Sequence, residues 1–220
     1  MRRELTLRQR RIMIYFVEAT QQLIQAEGLE KLTIRKIAAK AGYNSATLYN
    51  YFSDLNHLVL FGSVCYLREY VEELTKSLRP EMNALESFRT IYRCFNDIAF
   101  RYPHIFHNLF YGKHSTDLGN VLECYYHELF PEELRGLSPR MREMLVYGTM
   151  SERDSVSVGA MVAEGFLAAD KADITKSLII DVHQTFLYEA AIRGEGLDLK
   201  AHRAQFERLF EYVLEQGRAK

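Results

Sequence analysis

The 220-residue chain is 48% hydrophobic and 26% charged, a globular composition from which a real core can be built. It has no apolar run of the roughly 18 residues a membrane span needs, and no apolar stretch follows the basic Met1-Arg2-Arg3 start, so neither a span nor a secretory signal is expected. The net charge of −1 conceals an asymmetry: residues 1–60 hold nine Lys/Arg against five Asp/Glu, a net of +4, and the remainder holds 19 against 24, a net of −5. A basic head on an acidic body suits a polyanion-binding module joined to something else. Cys65, Cys94 and Cys124 are odd in number and widely spaced, which argues against a disulfide framework and for a reducing cytoplasm.

In chain order, Ile12, Phe16, Ala19, Leu23 and Ala26 share one face of a first helix that Gly28 stops. Ile34, Ile37, Ala38 and Ala41 follow the helical period of a second, with Thr33 at its N-cap and Gly42 at its end. Asn44 or Ser45 caps a third, Ala46 to Phe52, and a long helix is predicted from Asp54 to Leu78. Further helices are predicted at 84–101, 103–111, 118–128, 138–148, 152–169, 173–193 and 199–217. Pro80, Pro103, Pro131 and Pro139 fall near the breaks. No stretch alternates with period two, so the expected fold is all-α.

Residues 33–52 read TIRKIAAKAGYNSATLYNYF. Two short helices joined at Gly42-Tyr43-Asn44 are too small to form a core alone and must pack on the first helix. The second helix of such a pair can enter a DNA major groove, about 12 Å wide. Its exposed face carries Ser45, Ala46, Thr47, Tyr49 and Asn50, small or hydrogen-bonding groups, and its buried face Leu48 and Phe52. Gly28, Thr33-Ile34-Arg35, Ile37-Ala38, Ala41-Gly42 and Thr47-Leu48-Tyr49-Asn50-Tyr51-Phe52 together resemble the DNA-binding domain of the TetR family of repressors, over about residues 10–60. The resemblance implies a helix-turn-helix domain at 1–53 and a helical ligand-binding and dimerisation domain at 54–220. It implies that Thr33 caps its helix and touches phosphate, that Thr47, Tyr49 and Tyr51 bind backbone or base, and that Ser45, Ala46 and Asn50 face base edges. Arg35, Tyr43 and Asn44 complete the expected DNA-binding set. The family usually carries a phosphate-gripping lysine three residues after the Phe. Leu55 stands there in this chain, which shifts the expected affinity toward the Arg2–Arg11 arm.

Other chemistry is thin. His104, His107 and His114, with Cys124 and His127, have donor types that suit zinc, but no carboxylate joins them in a recognised order, and no metal or cofactor is expected. GxSxG, a Gly-rich phosphate loop and HExxH are absent, so a regulator is expected in place of an enzyme. In the body, Cys65, Arg68, Tyr92, Phe95, Phe106, Phe110, Tyr125, Phe166 and His183 are the candidate lining of a site for a small, largely apolar effector. Ile179, Val182, Phe186 and Ala190 share one face, and Phe206, Leu209, Phe210 and Val213 another. These are the candidate seams of a homodimer holding two half-sites of a palindromic operator, about 34–36 Å apart or a multiple of that.

Overall fold

The computed structural model describes residues 5–139, 142, 145 and 148–219. Arg2 and Arg3 of the basic arm lie outside this range, as does most of the helix predicted at 138–148. The described residues pack as two units, Met1–Leu67 with Gly112–Gly148, and Arg68–Tyr111 with Thr149–Lys220. This is a division by packing; the expected boundary at residue 53 is one of role. Among the described residues there is no strand, only an isolated antiparallel bridge between Leu167 and Arg218.

In the first unit, α1 (Leu7–Glu27) opens on a capping box, Thr6 accepting from the Gln9 amide and the Gln9 side chain accepting from the Thr6 amide. Its apolar stripe buries Ile12, Phe16, Ala19 and Leu23. The Thr33 hydroxyl accepts from the Lys36 amide to start α2 (Ile34–Ala41). Gly42, at φ 77°, ends α2 in the left-handed region, where its missing Cβ removes the steric cost. Asn44, not Ser45, caps α3 (Ser45–Leu48). The helix expected to reach Phe52 is a single α-turn, because the amides of Asn50 and Tyr51 bond carbonyls three residues back and tighten the chain into turns.

The expected single helix from Asp54 to Leu78 is two: α4 (Leu55–Ser63), a 3-10 turn at Val64–Tyr66, and α5 (Leu67–Ser77). At the break the Ser63 hydroxyl donates to the Val59 carbonyl and the Cys65 thiol to the Gly62 carbonyl, local bonds that compete with the regular ladder. Gly62 lets α4 approach α1, since a Cβ there would sit 2.6 Å from Thr20 Cγ2. Later in the chain α8 (Leu118–Glu123) continues as a π-helix, Cys124–Leu129, and Pro131–Leu134 forms a 3-10 turn. Tyr125 is buried here, donating to Glu133 at 2.8 Å and accepting from Gln21 of α1 at 3.0 Å.

The second unit contains α5 from Arg68, α6 (Ala84–Ala99), α7 (Pro103–Tyr111), α9 (Met150–Ala163), α10 (Ala172–Arg193) and α11 (Leu199–Gly217). Capping boxes start α6 at Asn83 and α9 at Thr149, and Asp198 caps α11. α9 stops six residues short of the predicted 169, with Gly165 at φ 76° turning the chain. Phe88, Phe95, Phe106 and Phe206 fill the middle of this unit. No described helix is long and apolar enough to cross a membrane.

Candidate nucleic-acid interface and effector site

The candidate reading surface is built backward from its core. Leu48 and Phe52 are buried, and Phe52 meets Phe16 and Phe61 edge-on at 6.2 and 5.4 Å. That anchorage leaves Ala46, Tyr49 and Asn50 exposed, Tyr49 at 57%. An exposed aromatic, an amide and a methyl beside one another offer apolar, donor and acceptor contacts to base edges or phosphates.

The other residues of the expected set are partly committed to the fold. Asn44 Oδ1 accepts from the Thr47 amide at 2.8 Å and from the Thr47 hydroxyl at 3.0 Å. Tyr43 packs on Phe16 and Tyr15 at 5.5 and 6.2 Å. Ser45 and Tyr51 are half-buried, while Thr33 and Arg35 are exposed. Leu55, in the position of the expected lysine, is half-buried at the start of α4.

The expected effector residues divide. Tyr92, Phe95, Phe106, Phe110 and His183 do come together in the second unit. Phe95 lies 5.1–5.4 Å from the rings of Tyr70, Phe106, Phe110 and His183. Cys65 and Tyr125 belong to the first unit. Burial pushes the Cys65 thiol up to about 12, so it is no thiolate at neutral pH. Arg68 is exposed and pairs with Glu72 one turn on. Phe166 lines a separate surface groove with Leu85, Met161 and Leu167.

The aromatic cluster holds polar partners of Tyr92 and His183 that sequence reasoning missed, namely Asp154, Asn96 and Tyr111. The Tyr92 hydroxyl donates to Asp154 Oδ2 at 2.6 Å, and both residues are buried. Burial raises the Asp154 carboxyl to about 7, against the opposing hydrogen bond from Tyr92. His183 is fully buried between Asn96 and Tyr111, and burial lowers its imidazole to about 3. Among the described residues no group of three or more His, Cys, Asp and Glu is placed to hold a metal ion.

The residues of the expected dimer seams differ in exposure. Ile179, Phe186, Ala190, Phe206 and Phe210 are at most 7% exposed, covered by their own chain, and present no surface to a partner. Val182 and Val213 are half-buried and Leu209 is exposed. In α10 the exposed apolar side chains lie in a different phase, at Ile174, Leu178, Tyr188 and Ile192, while in α11 the expected Leu209 is exposed together with Tyr212.

The first three helices form a helix-turn-helix head, and the remaining described helices an all-α body. The sequence pattern of bacterial regulatory proteins of the tetR family matches residues 16–60, from within α1 to within α4, so this segment is similar to the DNA-binding head of that family. In fold, it is similar to Thermus thermophilus FadR, a TetR-family transcriptional repressor solved in complex with lauroyl-CoA. The alignment covers 92% of this chain and 93% of that one, with a TM-score of 0.61 and 17% identity. A putative transcriptional regulator from Streptomyces coelicolor A3(2) aligns over 97% of both chains, with a TM-score of 0.51 and 15% identity. No curated protein matches the sequence.

Proposed function

We propose that this regulator is a homodimeric repressor that occupies a palindromic operator and leaves it when a small, largely apolar effector binds the aromatic cluster of the second unit. The observation that carries the reading is the exposed Ala46, Tyr49 and Asn50 surface, backed by buried Leu48 and Phe52, within the residues that match the family pattern. Ser45, Thr47 and Tyr51 flank it, Thr33 and Arg35 contact the sugar-phosphate backbone, and Tyr43 and Asn44 hold the turn that orients it. The effector site is drawn around Tyr92, Phe95, Phe106, Phe110 and His183, with Asp154 as an added polar group. An acyl chain is the first ligand to test, since a protein of similar fold binds lauroyl-CoA. The dimer seam is drawn on the exposed apolar face of α10 and α11. An effector that prefers a conformation unsuited to the operator lowers DNA affinity by its differential binding to the two states.

Operator selection from a random duplex library, followed by fluorescence anisotropy, tests the reading. A palindromic consensus, bound tightly by the wild type and at least tenfold more weakly by Tyr49→Ala, is the expected result. Recovery of no consensus, or unchanged affinity in Tyr49→Ala and Thr47→Ala alike, overturns it.

A further inference from the structure

From Ala41 to Leu67, through the turn, the reading segment and the whole of α4, the chain has neither Lys nor Arg. The cations of the head lie earlier, and two of them are already paired, Lys36 with Glu27 and Arg10 with Glu128. A duplex presents phosphates on both flanks of the groove being read, and protein cations there supply most of the salt-dependent affinity. The exit flank of the reading segment, Ser53–His57, therefore has no Lys or Arg of its own.

The fold delivers one from 59 positions further on. Lys113 Nζ donates to Asp54 Oδ2 at 2.6 Å, and His114 Nε2 lies 2.9 and 3.1 Å from the two oxygens of the same carboxylate. Asp54 is fixed in turn by the His57 amide, which donates to it at 2.9 Å in capping α4. The anchoring carboxylate is thus four residues past Asn50, while the Lys113 side chain stays 63% exposed. The segment that carries Lys113 continues along the same exit: Asn50 and Tyr51 line one groove together with His57, Asp117 and Asn120.

We propose that Lys113 binds an operator phosphate and that Asp54 is its positioning residue, an inference that rests on the DNA-binding reading above. An ammonium has three donors, and the one spent on Asp54 leaves others for a phosphate oxygen. The acidic charge of Asp54 is shared among Lys113, His114 and the His57 amide, so the cation is the outermost charged group of the cluster. Of the acids that line the groove beside Asn50 and Tyr51, Asp117 faces His57 at 3.7 Å, Glu128 pairs with Arg10, and Glu123 lies one turn beyond Asn120. Partial burial would push the Asp54 carboxyl up, but the hydrogen bonds from Lys113, the His57 amide and His114 hold it well below the usual carboxylate range, so the anchor stays ionised at neutral pH. The DNA contact surface then includes a residue supplied by the 112–148 segment.

The test measures affinity for a mixed-sequence duplex across a salt series by anisotropy. Wild type, Lys113→Ala, Lys113→Arg and Asp54→Asn are compared, with Lys113→Ala also placed in the Asp54→Asn background. An asparagine still caps α4, so the helix is kept. Losing one phosphate contact should make the log affinity against log salt slope shallower by about 0.9 in Lys113→Ala. The loss of affinity should be uniform across duplex sequences, and Lys113→Arg should restore it. In the Asp54→Asn background the effect of Lys113→Ala should shrink. A wild type with a clear salt slope that Lys113→Ala leaves unchanged overturns the proposal while sparing the DNA-binding reading. A wild type that binds no duplex at low salt overturns both. An equal Lys113→Ala effect in the two backgrounds removes the positioning role of Asp54.

Discussion

His183 Nε2 and Asn96 Oδ1 lie 3.0 Å apart with both side chains buried, His183 completely. The amide oxygen only accepts, so Nε2 carries the proton, and Nδ1 accepts from the Tyr111 hydroxyl at 2.8 Å. A neutral imidazole satisfies both bonds as they stand, whereas a charged one would have to donate at both nitrogens and turn the Tyr111 hydroxyl into an acceptor. Replacing Asn96 by leucine strands a buried N–H, at a cost of about 1–3 kcal/mol in urea unfolding. The imidazole is held down to about 3 from an ordinary 6.5. The unfolded chain therefore takes up the proton first, and this residue's contribution, intact above pH 6.5, drains away as pH falls toward 3. A stability profile in which wild type and His183→Phe run parallel from pH 7 to pH 4 would contradict this.

Asp154 has the opposite sign. Its carboxyl, raised to about 7 from 3.8, favours the folded state only while protonated. That contribution is complete below about pH 4 and is lost as pH rises through 7. Asp154→Asn keeps an acceptor for Tyr92 and removes the titration. The variant should match wild type near pH 4 and exceed it by up to about 4 kcal/mol at pH 8. Denaturation midpoints at the two pH values decide it; a variant less stable than wild type at pH 8 would mean that the carboxylate is compensated in the folded protein.

The close approach of Gly62 to Thr20 makes a packing prediction. A methyl at position 62 would meet Thr20 Cγ2 at 2.6 Å, so Gly62→Ala should destabilise the first unit by about 1–3 kcal/mol. Thr20→Ala removes the clashing methyl, so the double variant should recover part of the loss. Strict additivity of the two changes in a double-mutant cycle would place the strain elsewhere.

The head was legible because its determinants are local. Thr33, Gly42 and the caps act within a few residues, and the spaced motif fixes which side chains face in. What the sequence hid is long-range. Asp154 meets Tyr92 across 62 positions, His183 meets Asn96 across 87, and Lys113 meets Asp54 across 59. One signal was available: Asp154 falls in phase with Met150, Val158 and Met161, an acid on a buried stripe. Five of the eight expected seam residues are covered by their own chain for a different reason. α10 is apolar on two faces, Ile179 and Phe186 inward and Ile174, Leu178, Tyr188 and Ile192 outward. Periodicity finds an apolar stripe, but it does not say whether the chain or a partner covers it. The break of the long helix at Val64–Tyr66 likewise depends on side-chain bonds to carbonyls that hydropathy does not register.

The outward face of α10 yields an assembly prediction. Leu178 and Ile192 are 44% and 63% exposed on one face of α10, and large apolar side chains exposed together in this way are candidates for an interaction surface. Leu178→Glu with Ile192→Glu puts like charges on both sides of a twofold seam. Sedimentation should show a wild-type dimer at micromolar concentration and a folded monomeric variant. A variant that stays dimeric would move the seam to another surface.

The effector prediction turns on Phe95, whose ring has four aromatic neighbours within 5.4 Å. Truncating a core Phe to alanine costs about 3–5 kcal/mol, so folding must be verified by circular dichroism before any loss is read as a binding effect. Phe95→Leu provides the milder control. Lauroyl-CoA is the probe, with free laurate beside it to separate the acyl chain from the nucleotide-bearing head. If the cluster receives the chain, the wild type should gain thermal stability with the logarithm of ligand concentration above its Kd and lose DNA affinity in the same range. Folded Phe95→Leu and Phe110→Ala proteins should bind the duplex as wild type does yet need a higher probe concentration for release. Release of both variants at the wild-type concentration would place the effector outside this cluster. The aromatic rings would then be core alone, with Asp154 and His183 as its buried polar ties.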